Sequence, residues 1–287
     1  MNHSIKYYIG VDGGGTGTRV VITDLEFKTL ATATGDASAL GQGVQKSWTA
    51  ILETISKAFI QFNRPIPRMS ECSIAIGISG ANNITWKNEF YFRNPGFLNI
   101  KVETDALTTL LGAHEGKPGV IISIGTGSVG MLLDENFEQK TVSGFGYPSG
   151  DEASGAWLGL KAASLAQKAL DKRIPNSPLT ESILKFCNFP EMDFITWLGC
   201  ANQNTFAKLA PIVFENANKD SLAKNLLIKA GEEVSLMHLA LDENFKYPFS
   251  ICGNLGKALK PYLPSKLESY LTNPKFDSAQ GALYLLK

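Results

Sequence analysis

The sequence predicts an α/β protein built from two related lobes, and three features carry that expectation. The first is YIGVDGGGTGTRVVITD, Tyr8 to Asp24. An apolar run ends on Asp12, a Gly/Thr-rich turn follows (Gly13, Gly14, Gly15, Thr16, Gly17, Thr18), and a β-branched run resumes at Val20. Two strands joined by a glycine turn is the simplest reading. The second feature is the alternation of strand and helix patterns that continues as far as Leu111. The third is a restart. Aligned on Thr16 and Thr126 without a gap, TGTRVVITDLEF runs beside TGSVGMLLDENF; Thr, Gly, Asp and Phe coincide, and Thr18 meets Ser128. A repeated strand–turn–strand unit implies two copies of one supersecondary block.

The elements follow in order. Thr29 to Thr34 is a third strand, stopped by Gly35. Trp48, Ile51, Leu52, Ile55, Ala58, Phe59 and Phe62 recur at helical spacing until Pro65 and Pro67. Cys72 to Ile78 is a continuous apolar strand of the buried, parallel kind, ending in the small-residue turn Gly77 to Ala81. Asn99 to Glu103 is a short strand, and Asp105 opens a helix through Leu111. In the second half Val120 to Ile124 and Val129 to Leu133 are strands around Gly125-Thr126-Gly127-Ser128. Gly144 to Gly150 is a loop before a helix from Asp151 to Leu170, where Ser149 and Glu152 have capping-box spacing. After a break at Pro175 to Pro178, helices over Leu179–Trp197, Thr205–Ala217 and Ser221–Leu241 form an insertion. Phe249 to Cys252 is a strand, and Gly253 to Gly256 a third glycine turn that opens a helix. A closing helix from Asp277 to Leu286 carries Ala279, Ala282, Leu283 and Leu286 on one stripe.

Composition narrows the function classes. A chain of 287 residues is one large domain or two ordinary ones, and 44% hydrophobic against 19% charged residues is globular composition. Lys+Arg 27 balances Asp+Glu 27, so neither nucleic acid nor an anionic membrane is favoured as the main partner. No apolar run approaches the ~20 residues of a membrane span. The first seven residues lack a signal peptide's apolar segment. Cys72, Cys187, Cys200 and Cys252 show no CxxC spacing and read as reduced thiols of a cytoplasmic protein. His3, His114 and His238 suggest neither metal cluster nor triad.

The first glycine turn carries chemistry. Glycines leave the backbone uncovered, so the N–H groups can close on a phosphate. Asp12, at the mouth of the turn, would sit beside bound phosphates only with Mg²⁺ between them. The alternative is a plain hairpin in which Asp12 bonds its own turn, although a triple glycine with two threonines exceeds what a hairpin needs. A P-loop is excluded because no Lys follows the glycines. A dinucleotide fingerprint is excluded because a strand, not a helix, comes next. Gly125 to Gly130 matches G-x-G-x-x-G literally, but MLLDEN is too short for a helix, which leaves a second phosphate cradle. Asp105 stands at a strand's carboxyl end, as a proton acceptor or as a helix N-cap. Asp151 reads either as a ligand contact or as an acid favoured by its helix dipole.

With three ordered glycine turns and the tract SGFGYPSGDEASGAWLGLKA (Ser143 to Ala162), the chain resembles the actin-like ATPase and sugar kinase superfamily. More closely it resembles the N-acetylglucosamine and glucosamine kinases grouped with the BadF/BadG/BcrA/BcrD ATPases. FDSAQGALYLL resembles the C-terminal helix of those kinases. The resemblance implies ribonuclease-H-like lobes at 1–114 and 115–275 with a cleft between, a helical insertion in the second, and a helix at 276–287 packing back on the first. It implies ATP and Mg²⁺ as cofactors, a small sugar as substrate, and a homodimer among the candidate assemblies. The implied activity is phosphorylation of an amino sugar, N-acetylglucosamine or glucosamine, at O6. By the same resemblance Asp12 orients Mg²⁺ and Gly14, Gly15, Thr16, Thr126 and Gly127 hold phosphates. Gly253, Asn254 and Gly256 lie by adenosine, Asp105 is the catalytic base, and Phe145, Gly146 and Asp151 line the sugar. Ser38 stands where those kinases carry an Asn that touches the sugar, which bears on which sugar is bound. Two other readings share the fold: an ATPase that activates a radical dehydratase or reductase through an iron–sulfur cluster, and a non-catalytic sugar or nucleotide sensor.

Overall fold

The structure, a computed structural model, describes residues 4–190 and 192–287; His3 lies outside them. The chain forms two compact units, one comprising the residues up to Gly119 with Asn273–Lys287, the other Val120–Thr272.

The first unit is built on a mixed sheet of β1 (Tyr7–Gly13), β2 (Thr18–Thr23), β3 (Thr29–Gly35), β4 (Cys72–Ile78) and β5 (Asn99–Glu103), in the order β3-β2-β1-β4-β5. The meander β1–β2–β3 is antiparallel, whereas β4 joins β1 in parallel and β5 joins β4 in parallel. Every residue of β4 is buried, as its unbroken apolar run requires of a strand covered on both faces. On one face Ile9, Val11, Val20, Ile22, Ile74 and Ile76 pack with Trp48, Ile51, Ile55 and Phe59 of α1 (Val44–Gln61). The sequence pattern left the helix between β4 and β5 unplaced; it is α2 (Ile84–Phe92). Its one buried side chain, Phe90, stacks on Trp48 with centroids 4.1 Å apart. The other face carries α3 (Asp105–Ala113) and, where one helix was expected over Asp277–Leu286, a short α-helix (Ser278–Ala282) continuing as a 3₁₀ helix (Leu283–Leu286), whose Ala279 and Leu283 cluster with Val21. Gly10 belongs to that contact, because a Cβ there would collide with the Ala279 carbonyl.

The second unit repeats the plan. Its strands β6 (Gly119–Ile124), β7 (Ser128–Leu133), β8 (Gln139–Ser143), β9 (Phe249–Cys252) and β10 (Leu271–Thr272) run in the order β10-β9-β6-β7-β8. That order superposes on the first sheet with β6, β7, β8, β9 and β10 in the places of β1 to β5. The coincident Asp and Phe of the repeat have a local cause. Asp24 Oδ1 accepts from the N–H groups of Glu26 and Lys28 at 3.0 and 2.9 Å, and Asp134 Oδ1 from those of Asn136 and Glu138 at 2.8 Å each. Phe27 and Phe137 both adopt φ 62° to close the hairpin. A left-handed Phe is strained. Phe27 recovers the cost by stacking on Tyr8 at 4.7 Å, whereas Phe137 is 65% exposed. Phe137→Gly should therefore change stability by less than about 1 kcal/mol, since strain relief offsets the added chain entropy. Phe27→Gly should cost about 1–3 kcal/mol through the lost burial and stack. Parallel urea titrations check both.

The helical part of this unit departs from the sequence reading in three places. The helix expected from Asp151 starts at Gly155 as α4 (Gly155–Leu170), capped by Ser154 and not by Ser149. Asp151 and Ala153 have φ 61° and 64°, so the chain cannot be helical through them. The helix expected over Leu179–Trp197 is two, α5 (Pro178–Phe186) and α6 (Phe194–Cys200), with Pro190 between them. The one over Thr205–Ala217 is also two, α7 (Gln203–Ala207) and α8 (Ala210–Asn216), where Pro211 opens the second. The 21-residue α9 (Ser221–Leu241) keeps the expected bounds, and α10 (Asn254–Leu259) and α11 (Ser265–Glu268) complete the unit. No helix among the described residues is long and apolar enough to cross a membrane.

Candidate active site

In the first unit the carboxyl ends of β1, β4 and β5 bring together the glycine turn, Asp12 and Asp105. The turn is tied down through its carbonyls. Gly14 O accepts from Ser38 N and Ala39 N at 3.1 and 3.2 Å, Gly17 O from Gly14 N at 2.9 Å, and Gly15 O from Gln42 Nε2 at 3.0 Å. The N–H groups of Gly15 and Thr16 donate to nothing among the described residues, and both residues are exposed. Engaged carbonyls with free amides form a concavity suited to an anion.

Ser38 stands apart from its expected role of touching the sugar. Its side chain is fully buried, and its hydroxyl is hydrogen-bonded with Thr18 Oγ1 at 2.7 Å. Thr18 Oγ1 also reaches Asp36 O at 2.5 Å. A Cβ at Gly13 would press on the Ser38 hydroxyl at 2.7 Å. The shorter side chain is thus spent on clamping the loop after β3 to the glycine turn, and it offers no surface to a ligand.

Asp12 and Asp105 are both half-buried. Burial, and then the negative charge of Asp105, push the Asp12 pKa up to about 6, while the Ser278 hydroxyl and Arg19 hold it down. No lysine, arginine or histidine forms an ion pair with Asp12 among the described residues. The Asp105 pKa is also raised, by burial, against hydrogen bonds from the Ala106 and Asp105 amides and the Ser79 hydroxyl. A desolvated carboxylate is a better proton acceptor than one in water. The sequence left Asp105 open as base or N-cap, and the helix has another cap. Thr104 occupies that position, with Oγ1 accepting from Leu107 N at 3.2 Å. Asp105 is the first helical residue, its Oδ1 2.9 Å from Ala106 N. Thr104→Ala should therefore cost about 1 kcal/mol of stability and leave turnover by the folded protein near wild type, as denaturant titration and steady-state rates would read.

The second unit has the matching turn. Gly125 N donates to Gly127 O at 2.9 Å, and the carbonyls of Gly125 and Thr126 accept from Gly155 N and Ala156 N of α4 at 2.9 and 3.1 Å. Ser128 Oγ donates to Glu152 O at 2.6 Å, a counterpart of the Thr18 bond to Asp36. Thr126 and Gly127 are partly exposed. Asp151 lies directly behind this turn: a Cβ at Gly127 would come 2.8 Å from its Oδ2. It is only 5% exposed, and it accepts from Gln203 Nε2 at 2.8 Å, from Ser128 N at 3.4 Å, and from the amides of Gly146 and Tyr147. Burial nonetheless raises its pKa. Asp151 thus ties the loop of Phe145 and Gly146 to the glycine turn. Phe145 itself is 90% exposed. At the third turn Gly253 has φ 82°, and a Cβ there would collide with the Ile124 carbonyl; Gly253 and Asn254 are exposed and Gly256 is buried. No sequence signal marked Thr104 as the cap or Gln203 as the neighbour of Asp151. Only the Thr18–Ser128 coincidence pointed to the two clamping hydroxyls.

Comparison with known proteins adds lineage to this geometry. Over 99% of both chains, the fold matches the crystal structure of a candidate N-acetylglucosamine kinase from Chromobacterium violaceum, with 47% identity and a TM-score of 0.96. The glucosamine kinase of Vibrio cholerae is 26% identical over 97% of this chain and 95% of its own. An N-acetylmuramic acid/N-acetylglucosamine kinase of Clostridium acetobutylicum is 28% identical over 99% of each. Residues 9–285, nearly the whole sequence, match one family description. The chain belongs to the BadF/BadG/BcrA/BcrD ATPase family.

Proposed function

We propose that the protein is a cytoplasmic, ATP- and Mg²⁺-dependent kinase of an amino sugar, glucosamine or N-acetylglucosamine, and that it transfers the γ-phosphate to O6. The observation that carries this reading is the pairing of Asp12 and Asp105 beside a turn whose Gly15 and Thr16 amides are free. In this reading Gly15 and Thr16 of the first unit, and Thr126 and Gly127 of the second, hold ATP phosphates through their backbones, while Gly14, expected to do the same, has its amide tied to Gly17 O and shapes the turn. Gly253, Asn254 and Gly256 flank the adenosine. Asp105 accepts the proton of the attacking hydroxyl, which a carboxylate within ~3 Å can do. Asp151 holds the loop of Phe145 and Gly146 in place against the sugar.

The residues suit Mg²⁺. Asp12 is an unpaired, desolvated carboxylate whose raised pKa a neighbouring cation would relieve. No group of three or more His, Cys, Asp or Glu gathers among the described residues, and Mg²⁺ needs none, since it binds one or two carboxylates together with phosphates and water. When bound, Mg²⁺ neutralises charge developing on the transferred phosphoryl group. Asp12 orients it from the first unit, and the clamped turn keeps the phosphates still.

The iron–sulfur activator reading finds little support in the cysteines. Cys72, Cys187 and Cys252 are buried, and Cys200 alone is exposed. A passive sensor would gain nothing from a desolvated Asp105 that Thr104 relieves of capping. Incubating the protein with ATP, Mg²⁺ and, in turn, glucosamine, N-acetylglucosamine, N-acetylmuramic acid and glucose tests the proposal. An amino-sugar 6-phosphate identified by NMR is the expected product. A folded protein that phosphorylates none of the amino sugars would overturn it, and a product carrying phosphate elsewhere would overturn the O6 assignment.

A further inference from the structure

The first sheet has a free margin. β3 pairs with β2 alone, so its far side meets no strand. The helices that cover the two faces of the sheet both reach this margin. Lys57 and Gln61 stand near the end of α1 on one face, and Asp277 and Gln280 at the start of the C-terminal helix on the other. Together with Arg19 of β2 and Thr32 and Thr34 of β3 they line a cavity of about 400 Å³. That size falls within the ~300–1,000 Å³ of small-molecule clefts. None of these residues has a part in the glycine turns described above.

The walls are rich in unspent donors. Arg19 Nη1 donates to Asp277 Oδ2 at 2.6 Å, and a guanidinium has four further N–H groups to offer. Lys57 Nζ gives one N–H to Thr34 O at 2.9 Å and keeps two. The Gln61 and Gln280 carboxamides make no hydrogen bond among the described residues. Charge points the same way. Two cations face one carboxylate, and both oxygens of Asp277 are engaged, Oδ1 by Gln280 N at 3.0 Å and Oδ2 by Arg19. Arg19, Lys57, Thr32 and Thr34 are exposed, so a solute reaches them without opening the fold. A guanidinium presents a planar fork to a phosphate, and an ammonium a point charge. Carboxamides and hydroxyls both donate and accept, as a polyol does.

We propose that this cavity binds a phosphate monoester of a polyol, its phosphate held by Arg19 and Lys57 and its hydroxyls by Gln61, Gln280, Thr32 and Thr34. The site itself does not depend on the kinase reading. The consequence that the product of the reaction finds a second place on the protein does rest on it.

Isothermal titration calorimetry reads the site without turnover. The protein is first saturated with Mg²⁺ and a non-hydrolysable ATP analogue, which occupies the phosphate positions of the active site. It is then titrated with N-acetylglucosamine 6-phosphate or with inorganic phosphate. The ester should bind, and inorganic phosphate should bind more weakly. Lys57→Met keeps the aliphatic stem and removes the charge. It should weaken the ester by ~10-fold or more, the usual worth of a hydrogen bond to a charged group. Lys57→Arg should keep most of the affinity. Lys46→Met, on the same helix but outside the cavity, should keep all of it. An ester that fails to bind wild type, or binds Lys57→Met equally well, would overturn the proposal and leave Lys57 as a guard of the edge strand. Inorganic phosphate binding as tightly as the ester would overturn the part given to the polyol. Failure of the sugar screen above would leave these outcomes untouched, so the two proposals fall separately.

Discussion

Asp105→Asn should lower kcat by ~10²–10⁴-fold, the usual contribution of a general base, with ATP affinity barely moved and no loss of stability. The three outcomes follow from the placement of one side chain. Asn cannot take up a proton, so the attacking hydroxyl loses its acceptor. The nucleotide contacts come from other turns, so binding is spared. The fold is spared because Thr104, not Asp105, caps α3. Burial also raises the Asp105 pKa, so a neutral amide removes a desolvation cost from the folded state. Asp105→Ala should lose as much activity as Asp105→Asn, because the acceptor is gone in both. Steady-state kinetics with an ATP-binding titration checks the set, and wild-type kcat in Asp105→Asn would remove Asp105 from the mechanism.

The second large effect concerns Asp12, where function and stability should move in opposite directions. Its pKa is raised from 3.8 to about 6 in the folded state. A raised carboxylate pKa means that the folded protein holds the proton more tightly than the unfolded chain. That contribution to stability is complete below about pH 4 and is lost as pH rises through about 6. The shift corresponds to about 3 kcal/mol at most, at 1.36 kcal/mol per pKa unit. Asp12→Asn has no such titration. The metal-free variant should match wild type at pH 4 and exceed it by up to about 3 kcal/mol above pH 7. Its turnover should fall steeply even at saturating Mg²⁺. Urea titrations at the two pH values read the first effect and kinase rates the second. A variant less stable than wild type above pH 7 would mean that Asp12 is a structural turn residue.

Much of the fold could be read directly from the residues. Unbroken β-branched and apolar runs bounded by glycines placed β1, β4, β6 and β9 almost to the residue, because burial on both faces leaves a strand little choice of composition. The α9 pattern was equally decisive. Readings failed where position depends on long-range partners. Ser149 and Glu152 had the right spacing for a capping box, but Asp151 is held in a left-handed conformation by acceptor bonds to Ser128, Gly146, Tyr147 and Gln203. Two of those partners, Ser128 and Gln203, lie 23 and 52 residues away. Ser38 was read as facing a sugar because it stands where the kinases it resembles carry an Asn, yet its hydroxyl turns inward to Thr18, twenty residues earlier. Ser278 left no trace in local pattern, since its partner Thr108 is 170 residues away. Glycine turns announce themselves because their composition is the mechanism. Hydroxyl partners do not, because a serine is equally at home in a hundred settings.

The discontinuity of the first unit bears on how the protein comes into being. Its sheet is finished once Glu103 has been made, but the face that Ala279 and Leu283 will cover stays bare until the whole of Val120–Thr272 has been translated. At ribosomal speeds of ~5–20 residues per second that delay is on the order of ten seconds or more. During it Val21 and Gly10 are an open docking place for the segment that follows Thr272. A nascent or prematurely terminated polypeptide can thus own every glycine turn and both carboxylates and still be unready. The segment translated after Thr272 works as a completion seal.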